Sequence, residues 1–371
     1  MEKNFVVDQK TLLNLLSSIQ PIVSKKTALE STSYILFQVG HKELILKSTD
    51  LEISLQSSCS LIDSTFENHE AFLVPGKRIF DIIKELQGPI HCSLYQNQLH
   101  LKSNSFSLSL NIKEADEFPP FPERIENIMQ IDATSFFKML ESVVFLIPQN
   151  NANPALNGLF LEIKDNTLFM TTTDGHCLAQ VSSFNQNYDS DKSWLLPKRA
   201  VYELKKILES LQDKTIFLGT CSNQLVFSGE LFNFFTKILA DQFPHYKTIL
   251  DKVSFQCASI DKNLLLKALR RSSCLLSGQF IPTSFSFDND QLNVTINNKE
   301  VGSLSEQLTL SSALSLKIDI KFYAPYILNG LQAFDNNNIN FYLKGNLNPI
   351  IFESATEENK TTYLVMPISS N

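Results

Sequence analysis

VDQKTLLNLLSSI from Val7, IDATSFFKMLESVV from Ile131 and IDKNLLLKALRRSS from Ile260 are three versions of one pattern. Each sets an aspartate ahead of an apolar stripe with helical spacing. The aspartates Asp8, Asp132 and Asp261 stand 124 and 129 residues apart. In the first copy Leu12, Leu13, Leu15, Leu16 and Ile19 follow the three-and-four rhythm of a helix that buries one side. An aspartate there is a natural N-cap, because its carboxylate accepts from amides that the first turn leaves unpaired. A second helix recurs as GKRIFDIIKEL after Val74-Pro75 and KRAVYELKKIL after Leu196-Pro197, with the prolines 122 residues apart. A weaker third copy, IKFYAPYILNGL, starts at Ile320, 123 residues after Pro197. Proline suits the first position of a helix and discourages helix before it.

Between these helices lie alternating segments rich in β-branched and aromatic residues. SYILFQV, KELILKSTDLEISL, NTLFMTTTDGHCLAQV and QLNVTINNKEV are examples, and each reads as strand. Turn-forming residues Asp50, Asp174 and Asn298 are spaced by 124 and 124. The order helix, strands, helix, strands therefore occurs three times, which predicts an α+β protein of three repeated domains. Proline clusters at Pro119, Pro120 and Pro122 and at Phe243-Pro244 suit connections. They place the domains at 1–124, 125–253 and 254–371.

The bulk composition excludes several classes. No apolar run approaches the roughly 20 residues of a membrane span. The polar, mixed-charge start lacks the basic and apolar regions of a secretory leader, so a cytoplasmic protein is expected. Six cysteines form no CxxC pair, and six histidines form no HxxxH or HExxH spacing. Buried free thiols, no metal and no cofactor are the expectation. Asp174-Gly175-His176 resembles a catalytic or metal triplet. No partner nucleophile, second ligand or phosphate loop stands at the needed spacing, so it reads as a turn and the chain as a non-enzyme.

The net charge of −7 argues against a nucleic-acid binder until its distribution is considered. Counted over 8–20, 76–87, 132–147, 197–211, 260–275 and 320–334, the six predicted helices carry +6, leaving −13 elsewhere. Lys77, Arg78, Lys198, Arg199 and Lys321 occupy corresponding places near the second helix of each repeat. The macrodipole does not favour cations there, so another role is indicated. With Lys26, Lys205 and Lys206 they are the candidate contacts to a nucleic-acid backbone. No helix carries the Arg/Asn/Gln set of a base reader, so the contacts expected are to phosphates and independent of sequence.

Six stretches carry a family resemblance: TTDGHCLA at Thr172–Ala179, QFPHYKTIL at Gln242–Leu250, TYLVMP at Thr362–Pro367, VPGKRIFDIIKEL, ALNGLFLEI and STDLEISL. Together they resemble the β subunit of bacterial DNA polymerase III, the sliding-clamp family, over the whole chain. The resemblance implies clamp domains of two helices backed by antiparallel sheets. It also implies a closed ring built as a head-to-tail homodimer around DNA. Phe106 and Leu108 on one side, and Leu275 and Leu276 on the other, match the family's dimer interface. The implied partners are the polymerase α subunit, the clamp loader and other proteins bearing a clamp-binding motif.

The family's groove for short linear peptides lies between the second and third domains and maps onto Leu156, Thr173, Gly175, His176, Cys177 and Leu178. It also maps onto Pro244, Thr248, Ile249 and Tyr323, and onto Leu364, Val365, Met366 and Pro367 near the C-terminus. Cys177 and Thr248 stand where the family often has arginine, which implies a less basic groove. Asn153-Pro154-Ala155 replaces a segment that often holds DNA-facing tyrosines, and Ile281-Pro282 stands where a basic loop residue is expected.

Overall fold

The computed structural model describes residues 3–23, 29–122, 125–184, 191–211, 214–278 and 280–368. The three aspartate-headed segments each end a strand and begin a helix, giving α1 (Gln9–Ile19), α3 (Ala133–Val144) and α5 (Lys262–Ser273). Asp8 accepts from the Thr11 amide at 3.1 Å and Asp261 from the Leu264 amide at 2.9 Å, so both are caps as predicted. The first amide of each helix donates to a loop carbonyl: Gln9 to Gly88 at 3.3 Å, Ala133 to Lys214 at 3.0 Å and Lys262 to Asn337 at 2.7 Å. The repeat is thus visible in individual bonds. On α1, Leu12, Leu15, Leu16 and Ile19 are buried, while Leu13 lies off the stripe and is half-buried. Each buried leucine contributes about 1.5–3 kcal/mol relative to exposure.

The second helices are α2 (Gly76–Lys84), α4 (Lys198–Glu209) and α6 (Ala324–Leu331). The last is shorter than the sequence suggested. Ile318–Phe322 is a strand whose residues alternate buried and exposed, and Pro325 sits in the first turn of α6. Lys321 is therefore on a strand and not on a helix. The β-branched alternation of IDIKF prevails until the proline fixes a helical start. The six helices hold thirteen Lys and Arg against four Asp and Glu, so the segregation of charge is sharper than first counted.

Contacts divide the chain into two compact units, 1–134 with 202–238, and 135–201 with 239–371. The first unit has two antiparallel sheets. One orders Asp63–Ser64, Lys3–Asp8, Pro89–Tyr95, Gln98–Ser103 and Phe106–Asn111. The other has nine strands, in which Phe232–Lys237 pairs with Ile53–Ser60 and so joins the first repeat to the middle one. Helices α1 and α2 pack together over this unit.

The second unit repeats the scheme. An eight-stranded sheet orders Lys192–Pro197, Gly158–Lys164, Thr167–Thr173, Cys177–Ser183, Asn359–Val365, Ile350–Ala355, Asn338–Leu343 and Gln256–Asp261. The pairing of Cys177–Ser183 with Asn359–Val365 joins the middle repeat to the third. A four-stranded sheet orders Gly302–Thr309, Gln291–Asn298, Thr283–Asp288 and Ile318–Phe322, with α5 and α6 packed on each other. The middle repeat thus gives one half of its strands to each unit.

The cysteine expectation needs correction. All six are free, but only Cys59, Cys92 and Cys177 are buried; Cys257 and Cys274 are exposed. No helix among the described residues is long and apolar enough to cross a membrane.

Candidate partner groove and basic helices

Every residue expected to line the groove lies in the second unit. The site begins at the turn between Thr167–Thr173 and Cys177–Ser183. Asp174 Oδ1 accepts from the amides of His176 at 2.8 Å and Cys177 at 2.7 Å. Thr173 Oγ1 donates to the Cys177 carbonyl at 2.5 Å and accepts from the Gly175 amide at 3.1 Å. Gly175 has φ 92°, which bulky residues resist, and a side chain there would approach only Leu156. The carboxylate of the Asp174-Gly175-His176 triplet is occupied with turn geometry. Among the described residues, no three His, Cys, Asp or Glu side chains gather to hold a metal.

The C-terminal strand completes this edge. Leu178 pairs with Leu364 and Cys177 with Val365, and the Met366 amide then donates to the His176 carbonyl at 2.9 Å. Past the paired strand, Met366 is exposed and Pro367 half-buried. Beneath them Leu178 and Leu364 join Ala155, Leu195, Phe243, Tyr246 and Ile351 in one apolar cluster. That cluster fastens the segment 243–250, whose Pro244, Thr248 and Ile249 are exposed.

The lining divides into floor and rim. Leu156, Thr173, Leu178 and Leu364 are buried, whereas Gly175, His176, Pro244, Thr248, Ile249 and Met366 reach solvent. Two expected lining side chains are directed inward. Val365 is fully buried, and Cys177 is 1% exposed with its thiol against Tyr363. Burial pushes the Cys177 thiol up to about 12, so it is a neutral packing group at physiological pH. Of the two positions where the resemblance suggested arginine, Thr248 is exposed and Cys177 is buried. Strand alternation is the reason, since paired residues 364 and 365 cannot both face the same side.

The reading of the sequence missed part of the rim. Phe280 stacks on Tyr323 with centroids 4.5 Å apart, Tyr323 meets Tyr326 edge-on at 5.1 Å, and Tyr326 lies 5.8 Å from the His176 ring. Tyr363 donates to the Tyr326 carbonyl at 2.8 Å, which ties this aromatic row to the C-terminal strand. Of this row the sequence had pointed only to Tyr323, and not to Phe280 or Tyr326.

The basic residues are less uniform. Lys77 and Arg78 are exposed on the first turn of α2, Arg199 is exposed on α4 and Lys205 is half-buried. Lys206 pairs with Glu203 at 3.1 Å. Lys198 donates to the Ile147 carbonyl at 2.9 Å, and burial lowers its ammonium below the usual lysine range. Lys321 is exposed on an edge strand, and Lys26 lies outside the described residues. Of the expected interface residues, Phe106 and Leu108 are half-buried on an edge strand, while Leu275 is half-buried and Leu276 buried after α5.

Comparison with known proteins supplies the identity of this architecture. The profile for the DNA polymerase III beta subunit N-terminal domain matches residues 3–122. The central-domain profile matches 130–245 and the C-terminal-domain profile 247–369. The chain belongs to the DNA polymerase III beta-subunit family. It is 24% identical over 368 residues to the beta sliding clamp of Haemophilus influenzae, covering 98% of this chain and 99% of that one. The beta sliding clamp of Pseudomonas putida is 25% identical over 370 residues, with 98% and 99% covered. In structure, the chain is similar to the Pseudomonas aeruginosa sliding clamp bound to griselimycin, with a TM-score of 0.91, 23% identity and both chains fully covered. The Bacillus subtilis clamp gives 0.90 at 20% identity, again over both whole chains. The family is a non-catalytic processivity subunit of the polymerase.

Proposed function

We propose that this chain is a sliding clamp: a head-to-tail homodimer that encloses duplex DNA and tethers DNA polymerase and other motif-bearing proteins through the groove in its second unit. The observation that carries this reading is that all three repeats match the beta-subunit family in order and along nearly the entire chain. The three repeats are assigned as domains 1–124, 125–253 and 254–371, and the site of action is the cytoplasm, where the replicase works.

Two strand edges support the homodimer. Phe106–Asn111 pairs only with Gln98–Ser103, and Gly302–Thr309 only with Gln291–Asn298, among the described residues. Phe106, Leu108 and Leu110 alternate with Ser107, Ser109 and Asn111, so that edge carries no charge; on the other, Glu306 is paired with Arg271. Unprotected edges of this kind invite another strand. The basic helices support a DNA-facing role for Lys77, Arg78, Lys198, Arg199, Lys205 and Lys206, with Lys321 on its strand and Lys26 added from the sequence. A net negative protein can hold a polyanion if contacts are few, salt-sensitive and backed by topological enclosure.

The apolar floor and the exposed Met366, Ile249 and Pro244 suit leucine or phenylalanine anchors of a linear peptide. Loading with a clamp loader onto nicked circular DNA, then linearising it, tests the reading. Retention on the circle and loss from the linear form is the expected result; retention after linearisation would refute enclosure. Lys77→Glu with Arg78→Glu should shorten retention on the circle while sedimentation still reports a dimer.

A further inference from the structure

The segment joining the Phe232–Lys237 and Gln256–Asp261 strands has no regular structure over most of its length, yet it supplies Pro244, Thr248 and Ile249 to the groove. Its apolar residues enter the cluster under Leu178 and Leu364. Two of its lysines find carboxylates on different strands. Lys247 Nζ lies 2.8 Å from Glu162 on Gly158–Lys164, and Tyr246 donates to the other oxygen of Glu162 at 3.4 Å. Lys252 Nζ lies 2.5 Å from Glu353 on Ile350–Ala355. The side chains of Glu162 and Glu353 are only 14% and 11% exposed; Lys247 is 56% exposed and Lys252 27%, so the Lys252 pair is the better shielded from salt.

These strands are the first and fifth of a run in which the paired Cys177–Ser183 and Asn359–Val365 strands lie inside. The carboxylates are thus four strand spacings apart, roughly 19 Å. Lys247 and Lys252 bracket Thr248, Ile249 and Leu250. A loop fixed at both ends, with its anchors on the sheet that forms the groove floor, keeps its middle in register with that floor.

We propose that Glu162 and Glu353 are positioning residues that staple the outer wall of the groove through Lys247 and Lys252, holding it ready for a peptide. The inference rests on the groove reading above. Among the described residues neither carboxylate hydrogen-bonds or ion-pairs with a lining residue, and both bond to the connector. Glu353 is also reached by Lys360 at 3.0 Å and by the Thr362 hydroxyl at 3.2 Å, while the Lys252 ammonium lies 4.1 Å over the Tyr342 ring. Burial pushes the Glu353 carboxyl up, but hydrogen bonds and charge from Lys252 and Lys360 outweigh it and hold it below the usual range. The Glu353 end of the staple therefore keeps its charge to lower pH than an ordinary glutamate. Preorganisation of this kind raises affinity without adding a contact, because the ordering cost is met before binding.

The test removes the connector's end of each staple and leaves the carboxylates with their other partners. Lys247→Met, Lys252→Met and the double variant are titrated, as full-length protein, with a fluorescent nonapeptide carrying leucine and phenylalanine anchors. Each single change should weaken binding about fivefold and the double change more than tenfold, mostly through faster dissociation. Amide exchange over 247–252 should quicken while Cys177–Ser183 and Asn359–Val365 stay protected, and Lys252→Arg should restore affinity. Wild-type affinity in the double variant, alongside weakened binding by Met366→Ala, overturns the staple and spares the groove. Peptide binding that is absent in the wild type, or unaffected by Met366→Ala, overturns the groove and the staple with it.

Discussion

The two turns at the repeat junctions are the same structure with different side chains. At the second junction Asp174 caps the amides of His176 and Cys177, Thr173 bridges to Cys177, and the Met366 amide donates to the His176 carbonyl at 2.9 Å. At the first, Asp50 caps Glu52 at 2.9 Å and Ile53 at 2.8 Å, and Thr49 bridges to Ile53 at 3.2 Å. There the Lys237 amide donates to the Glu52 carbonyl, also at 2.9 Å. Backbone chemistry is duplicated bond for bond. What differs is Gly175 against Leu51, His176 against Glu52 and Met366 against Lys237. Leu51 takes φ 76° and is 46% exposed, an unfavourable conformation without compensating burial. The repeat builds one frame at both junctions, and a few side chains distinguish the junction proposed to receive a peptide.

Reciprocal substitutions sharpen this contrast. Gly175→Val forces a β-branched residue into the left-handed region and should cost about 2 kcal/mol of stability, read from the urea midpoint. The same variant should lose anchor-peptide binding, since the new side chain grows toward Leu156. Met366→Ala should leave stability nearly unchanged but weaken peptide binding about tenfold, roughly 1.4 kcal/mol, by calorimetric titration. The smallest effect belongs to Leu51→Gly. Relief of strain slightly exceeds the entropy that glycine adds to the unfolded chain, so a gain of about 0.5 kcal/mol is expected. Leu51→Ala, which keeps the strain, should show no gain, and peptide affinity should not respond to either change. A loss of peptide binding in Leu51→Gly would mean that the two junctions are not functionally distinct.

The repeat was legible because its signals are local. Asp8 and Asp261 cap the helices they were expected to cap, and Asp50, Asp174 and Asn298 each accept an amide two residues on. The site was legible only as a set of matching stretches. Side-chain direction at 364 and 365 depends on strand pairing between residues nearly two hundred positions apart, which no local pattern reports. Cys177 and Val365 were misjudged for that reason. Lys321 was placed on a helix because FYAPYIL carries apolar spacing that Pro325 shortens from within. The sharing of the middle repeat between two sheets, and the Glu162 and Glu353 pairs, are long-range products of the fold.

The free edges of Phe106–Asn111 and Gly302–Thr309 have a further consequence. If these unlike edges join copies as proposed, each added copy leaves one of either kind unsatisfied, and pairing alone sets no limit on growth. A finite assembly then requires closure, so a change that prevents closure far from either edge would convert it into a filament.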